Sequence, residues 1–229
     1  MTTKFFFTSF FLLFFISCQA PTENCTNTPS EETSTTPVAT NCIPTETPEE
    51  PIFVPGPEDE PPTEAYLFDA TIQFISFDAL QQEKVNKAIE IIKKVIASPE
   101  FKHRVLNFSY NGKTQFVDNK GLTNAQIYQA LLDGKEDLIP VVDHQMDLEL
   151  ELYYSSRSTV GYTYPDTVRI WMNKKFFNVY TPSEVAGNVF HEWTHKLGFS
   201  HASSYSVSRD ASVPYAIGYL IEKLGKKYE

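Results

Sequence analysis

The chain has 229 residues with 29 acidic and 19 basic side chains, a formal net charge of −10, and 41% hydrophobic residues. That length fits one domain, or one domain with appendages. Ten of the acidic residues fall between Gln19 and Glu64, which hold no Lys or Arg, so the rest of the chain balances 19 against 19 and offers no basic footprint for a nucleic acid. The three cysteines, Cys18, Cys25 and Cys42, all precede residue 65, which excludes thiol catalysis and cysteine-ligated zinc in the remainder.

In chain order, residues 5–17 are almost wholly apolar, "FFFTSFFLLFFIS", with Lys4 before them and Cys18 after. A helix needs ~20 apolar residues to span a bilayer, so this run reads as an export signal covering residues 1–18. "FISC", Phe15 to Cys18, resembles the lipobox of bacterial lipoproteins, which implies a lipid on Cys18 and a place in the bacterial cell envelope, although Phe15 stands where that pattern usually has leucine. The alternative is a secretory signal cut after Ala20 and a secreted product. In both cases the folded part lies outside the cytoplasm, and a membrane is touched only through lipid on Cys18.

Residues 19–64 hold ten of the fifteen prolines together with Thr, Ser and acids. Such a segment cannot bury enough apolar surface to offset its ordering entropy, so it reads as a disordered tether. Forty-six residues of flexible coil would reach ~35–40 Å. Cys25 and Cys42 lie in it, either bridged to each other or left as free or differently paired thiols.

Residues 65–229 read as the folded domain. "ATIQFIS", Ala70 to Ser76, alternates like a strand, and Asp78 with Gln81 forms a capping box opening a long helix over Ala79 to Ala97, stopped by Ser98 and Pro99. "RVLNFSY", Arg104 to Tyr110, is expected to be a strand ending at the Asn111-Gly112 turn. Thr123 and Gln126 cap a short helix on Ile127, Leu131 and Leu132, closed by Gly134. "DLELELYY", Asp147 to Tyr154, is a strand with Asp147, Glu149 and Glu151 on a solvated face. Val160 to Tyr164 and Val168 to Met172 are two more strands around a Pro165-Asp166 turn. Strands and helices together predict an α+β domain with a mixed sheet.

Thr181, Pro182 and Glu184 then give an N-cap, a first-turn proline and a capping box, opening a helix that packs through Val185, Val189, Trp193 and Leu197 and ends at Gly198. Four residues is slightly more than one turn, so His191 and His195 share a face and can offer two imidazoles to one ion. Gly198 lets the chain turn back and bring His201 as a third ligand. Three protein ligands leave a fourth position for water, which is the arrangement of a catalytic zinc, and Glu192 stands where it can take that water's proton. The reading is a Zn2+-dependent hydrolase of peptide bonds acting on a protein or peptide substrate, with Glu192 as general base.

"HEWTHKLGFSH" resembles the extended H-E-x-x-H-x-x-G-x-x-H motif of metzincin metallopeptidases at every fixed position: His191, Glu192, His195, Gly198 and His201. The resemblance implies a metzincin-like mixed sheet with a long packing helix after the first strand. It also implies an antiparallel edge strand, here Ser158 to Tyr164, to which substrate adds, and a final helix, here Val213 to Leu224. The family's methionine-bearing turn has no counterpart, since no Met follows Met172; "SVPYAIG", Ser212 to Gly218, stands in its place, with Val213, Pro214 or Tyr215 as the floor under the metal. Some metzincins bring a tyrosine from this turn to the oxyanion, which gives Tyr215 either that role or the role of a buried aromatic.

A metal that merely locks the fold, or an inactive binding module or adhesin built on a protease fold, would need the histidines but not Glu192. His103 and His144 read as surface or capping residues. Arg169, Trp171 and Asn173 alternate on a strand leading to the metal helix, and the chain is expected to act as a monomer.

Overall fold

A computed structural model describes residues 68–229. The segments expected to be a signal peptide and a tether, with Cys18, Cys25 and Cys42, lie outside the described residues. The chain enters strand β1 (Asp69–Ile75), then helices α1 (Ala79–Ile96), α2 (Pro99–Leu106) and α3 (Asn124–Asp133), then strands β2 (Gln145–Tyr153), β3 (Gly161–Thr163) and β4 (Arg169–Asn173). Helices α4 (Lys174–Phe177), α5 (Pro182–Lys196), α6 (Val207–Asp210) and α7 (Val213–Gly225) follow, with a 3-10 turn at Lys226–Tyr228.

The four strands form one sheet in the order β1-β2-β4-β3, with β1, β2 and β4 parallel and β3 antiparallel at the edge. This is the mixed sheet with several helices expected from the sequence. On β2 the alternation is strict: Met146, Leu148, Leu150 and Leu152 are buried while Asp147, Glu149 and Glu151 are half-buried. The leucine face joins one hydrophobic core with Val85, Ile89 and Ile92 of α1 and Val185, Val189 and Trp193 of α5. Removal of such side chains from water, ~25 cal/mol per Å2, is the main force holding helices to sheet.

The expected helix starts hold in detail. Asp78 and Gln81, Thr123 and Gln126, and Thr181 and Glu184 each form a reciprocal capping box, satisfying first-turn N–H groups that would otherwise lack partners. Gly134 closes α3 in the left-handed region at φ 68°, where a side chain would be strained. Asn111 and Gly112 turn at φ 49° and 67°, with Tyr110 and Lys113 bridged across them.

The strand expected over Arg104 to Tyr110 is instead the end of α2 and its exit. Ser98 stops α1 but also starts α2, its hydroxyl accepting from Phe101 N at 3.2 Å with Pro99 in the first turn. Phe101 and Val105 are buried at helical spacing and Arg104 pairs with Glu100 at 2.7 Å one turn back. The acidic row on β2 also differs from a plainly solvated face, because Arg169 of β4 reaches across to ion-pair with both Glu149 and Glu151.

Two polar ties set the edge strand over α5. Asn173, fully buried, accepts from Ser155 N at 3.2 Å and donates to Ser155 O and Thr159 O at 3.1 and 2.9 Å, fixing the approach to β3. Lys196, the last residue of α5 and 5% exposed, donates to Thr163 Oγ1 and Thr167 O, and to Tyr164 O and Arg169 O at 3.2 Å. The β3–β4 hairpin is thus anchored to the helix that bears the histidines.

Candidate metal centre

His191 and His195 sit four residues apart on the cleft-facing stripe of α5, their ring centroids 5.2 Å apart. Beyond His195 the helix ends by a Gly198 N to His195 O hydrogen bond of 3.1 Å and a Phe199 N to Thr194 O bond of 3.2 Å, with Gly198 at φ 79°. A Cβ at Gly198 would come within 2.5 Å of Lys120 Nζ and 2.6 Å of Asp137 Oδ2, to which those side chains would have to yield, but the left-handed φ itself demands glycine there. The reversal brings the His201 ring to 4.9 Å from His195 and 5.2 Å from His191. One ligand atom from each of the three histidines lies within 4.8 Å of the others, a cluster that could hold a metal ion.

The polarity of each ring suits that use. His195 Nδ1 lies 2.7 Å from Phe199 O and His201 Nδ1 lies 3.0 Å from Ala202 O. A carbonyl only accepts, so both Nδ1 atoms carry the proton and both Nε2 atoms keep a lone pair. Burial, then repulsion from His195 and His201, pushes His191 down to about 3; burial pushes His195 down to about 4. Neutral imidazoles gathered at one point are zinc-type ligands.

Glu192 projects from the same turn and is 5% exposed. Burial raises its carboxyl to about 8, with the Lys196 charge pulling the other way. The backbone of β3 passes directly over it: a Cβ on Gly161 would meet Glu192 Oε1 at 3.1 Å and Asn188 Oδ1 at 3.0 Å. Tyr215 closes the floor, its ring centroid 4.5 Å from His191 and 4.6 Å from His201. Val213 and Pro214 are buried at the start of α7, and the segment Ser212 to Gly218 meets the histidines through the Tyr215 ring. A cleft of about 910 Å3 runs between β3 on one side and α5 and α7 on the other, with the three histidines, Glu192 and Tyr215 in its wall.

His103 and His144 stay outside. His103 lies on α2, and His144 caps the exit of α3, its Nδ1 2.8 Å from Leu132 O. Three site residues escape sequence reasoning. Arg209 lines the cleft and lies over the Tyr215 ring at 4.4 Å. Lys196 looks in sequence like a cation complementing a helix C-terminus, and burial in fact pushes its ammonium down to about 8. Glu136, 2% exposed, accepts from Trp193 Nε1 at 2.7 Å and Asp147 N at 3.1 Å, fastening α5 from behind. No local pattern marks Lys196 or Glu136, because acceptors 27 to 33 residues away and Trp193 57 residues away are their partners.

Compared with known proteins, the chain matches no family model, and no curated protein matches it either.

Proposed function

We propose that the chain is a zinc-dependent metalloendopeptidase of metzincin-like design that hydrolyses peptide bonds of extended protein segments. The observation that supports it most is the meeting, in one cleft, of three imidazoles with a buried carboxyl one residue from the first of them. A site that only locked the fold would gain nothing from burying Glu192, since an unpaired buried carboxyl costs stability.

The donor set fits Zn2+, with a ring nitrogen of His191 and the nitrogens of His195 and His201 not engaged by backbone carbonyls as its ligands. Zinc when bound supplies a Lewis acid for the scissile carbonyl and lowers the pKa of water beside it. A dication next to Glu192 also favours its carboxylate over the acid form. Glu192 then takes a proton from the attacking water and delivers it to the amine as the C–N bond breaks. The Tyr215 hydroxyl would donate to the oxygen that becomes negative, a role supported by the approach of its ring to His191 and His201. Substrate lies along β3, whose outer edge among the described strands has no pairing partner, and adds to it as a further strand. The protein acts as a monomer outside the cytoplasm, secreted or tethered by lipid on Cys18; among the described residues no helix is long and apolar enough to cross a membrane.

The test is the zinc-loaded full chain incubated with an unfolded protein, with cleavage products mapped by mass beside a Glu192→Ala copy. Cutting by the first, a rate at least ~100-fold lower in the second, and one zinc in each are expected. Equal rates, or zinc without cutting in either, would overturn the reading.

A further inference from the structure

The cleft continues past the histidines between two helices, and its far end has a chemistry of its own. On α5, Glu184, Asn188, His191 and His195 are spaced by four, three and four residues and form one stripe. On α7, Tyr215, Tyr219 and Glu222 are spaced by four and three and form another. The helices touch at Gly187 and Gly218: a Cβ on Gly187 would meet Gly218 O at 2.8 Å and Glu222 Cβ at 2.9 Å. Glu184 is seven residues from His191 and Glu222 seven from Tyr215, so each carboxylate lies ~10 Å along its helix from the metal end. Both line the cleft, with Tyr180 and Tyr219 beside them. The Tyr180 phenol is held above its ordinary range by burial and then by the charges of Glu184 and Glu222, which places it in the field of both.

The partners of these carboxylates leave room for a ligand. Glu184 Oε2 accepts from Thr181 N, 2.8 Å, as part of the α5 cap. Glu222 Oε1 pairs with Lys226 at 3.3 Å, a lysine 61% exposed, so the contact is screened by water and weak. The cation that lines the cleft among the described residues, Arg209, stands at the Tyr215 end.

On the basis of the peptidase reading, we propose that Glu184 and Glu222, flanked by Tyr180 and Tyr219, form a subsite selecting a lysine or arginine side chain next to the scissile bond. The reach agrees. A lysine extends ~6 Å from Cα to Nζ over five bonds, and the Cα beside a carbonyl at the metal starts ~3–4 Å away, together ~10 Å. Two carboxylates and two phenol rings receive a cation by charge, hydrogen bond and ring face.

Two measurements test it. The first maps the cuts made in a mixture of unfolded proteins by the zinc-loaded full chain, by Glu222→Gln and by Glu222→Lys. Wild type should favour Lys or Arg over Asp or Glu at one fixed position beside the bond by about tenfold or more. Glu222→Gln should shrink that ratio severalfold, and Glu222→Lys should invert it. The second measures binding of a lysine peptide and its norleucine analogue to the zinc-loaded Glu192→Gln chain. The lysine peptide should bind at least about fivefold tighter in low salt, with the difference fading in 1 M salt and in Glu222→Gln. Cutting without a basic preference, or a preference unmoved in both variants, overturns the subsite alone. Absence of any cutting by wild type overturns the peptidase reading, and equal binding of the two peptides then removes the subsite as well.

Discussion

Replacing Lys196 by methionine keeps an unbranched side chain of similar length in α5 and removes the ammonium that ties the edge hairpin to the histidine-bearing helix. The ammonium donates to Thr163 Oγ1 and Thr167 O, and to Tyr164 O and Arg169 O at 3.2 Å. Hydrogen bonds from a charged donor contribute ~1.5–3 kcal/mol each, but the buried charge carries its own desolvation cost and water can reach the half-exposed hairpin. The net loss should be ~2–3 kcal/mol, which lowers the melting temperature of a domain of this size by ~4–12 °C. Because β3 is held to β4 by only three residue pairs, the loss should concentrate there. Amide hydrogen exchange at residues 161–163 should quicken by ~30-fold or more, and that of the α5 interior much less. Thr163→Val, which removes one acceptor and the 2.6 Å bond from Thr163 Oγ1 to Arg169 O, should do the same in smaller measure. On extended polypeptide substrates KM should rise more than kcat falls, with zinc stoichiometry kept. Exchange that rises uniformly across the domain, or not at all at residues 161–163, would refute the hairpin tie.

Two further outcomes follow from the packing. Burial raises the Glu136 carboxyl, so the folded chain holds a proton there that the unfolded chain releases near pH 4.3. Stability due to this group is therefore complete below that value and declines as pH climbs through the raised folded value, by at most ~1.4 kcal/mol per pH unit. Urea unfolding from pH 4 to pH 8 should show this slope flattened in Glu136→Gln; an unchanged slope would mean Glu136 is ionised in the fold. Gly187→Ala should destabilise by ~1–2 kcal/mol although alanine favours helices, because its Cβ would press on Gly218 O at 2.8 Å. A melting temperature that rises in this variant would show that α5 and α7 cross with space to spare.

Much of this protein is legible along the chain itself. Capping boxes at Asp78, Thr123 and Thr181 reveal helix starts because the groups that satisfy one another are three residues apart. The alternation on β2 and the spacing of His191, Glu192, His195, Gly198 and His201 are equally local, so the strand and the candidate metal ligands follow from period and spacing alone. The helix at Phe101 to Leu106 was masked by the same locality, since Ser98 and Pro99 serve both as one helix's stop and as the next one's start. Tertiary structure decided what locality cannot reach. The Lys196 ammonium meets acceptors 27 to 33 residues away, Glu136 meets Trp193 across 57, and Glu184 comes to share a cleft with Glu222 from another helix. Sequence fixes which side chain leaves a helix on which face; only the packing of faces from distant segments fixes what that side chain meets, because burial and charge act through space and not along the chain.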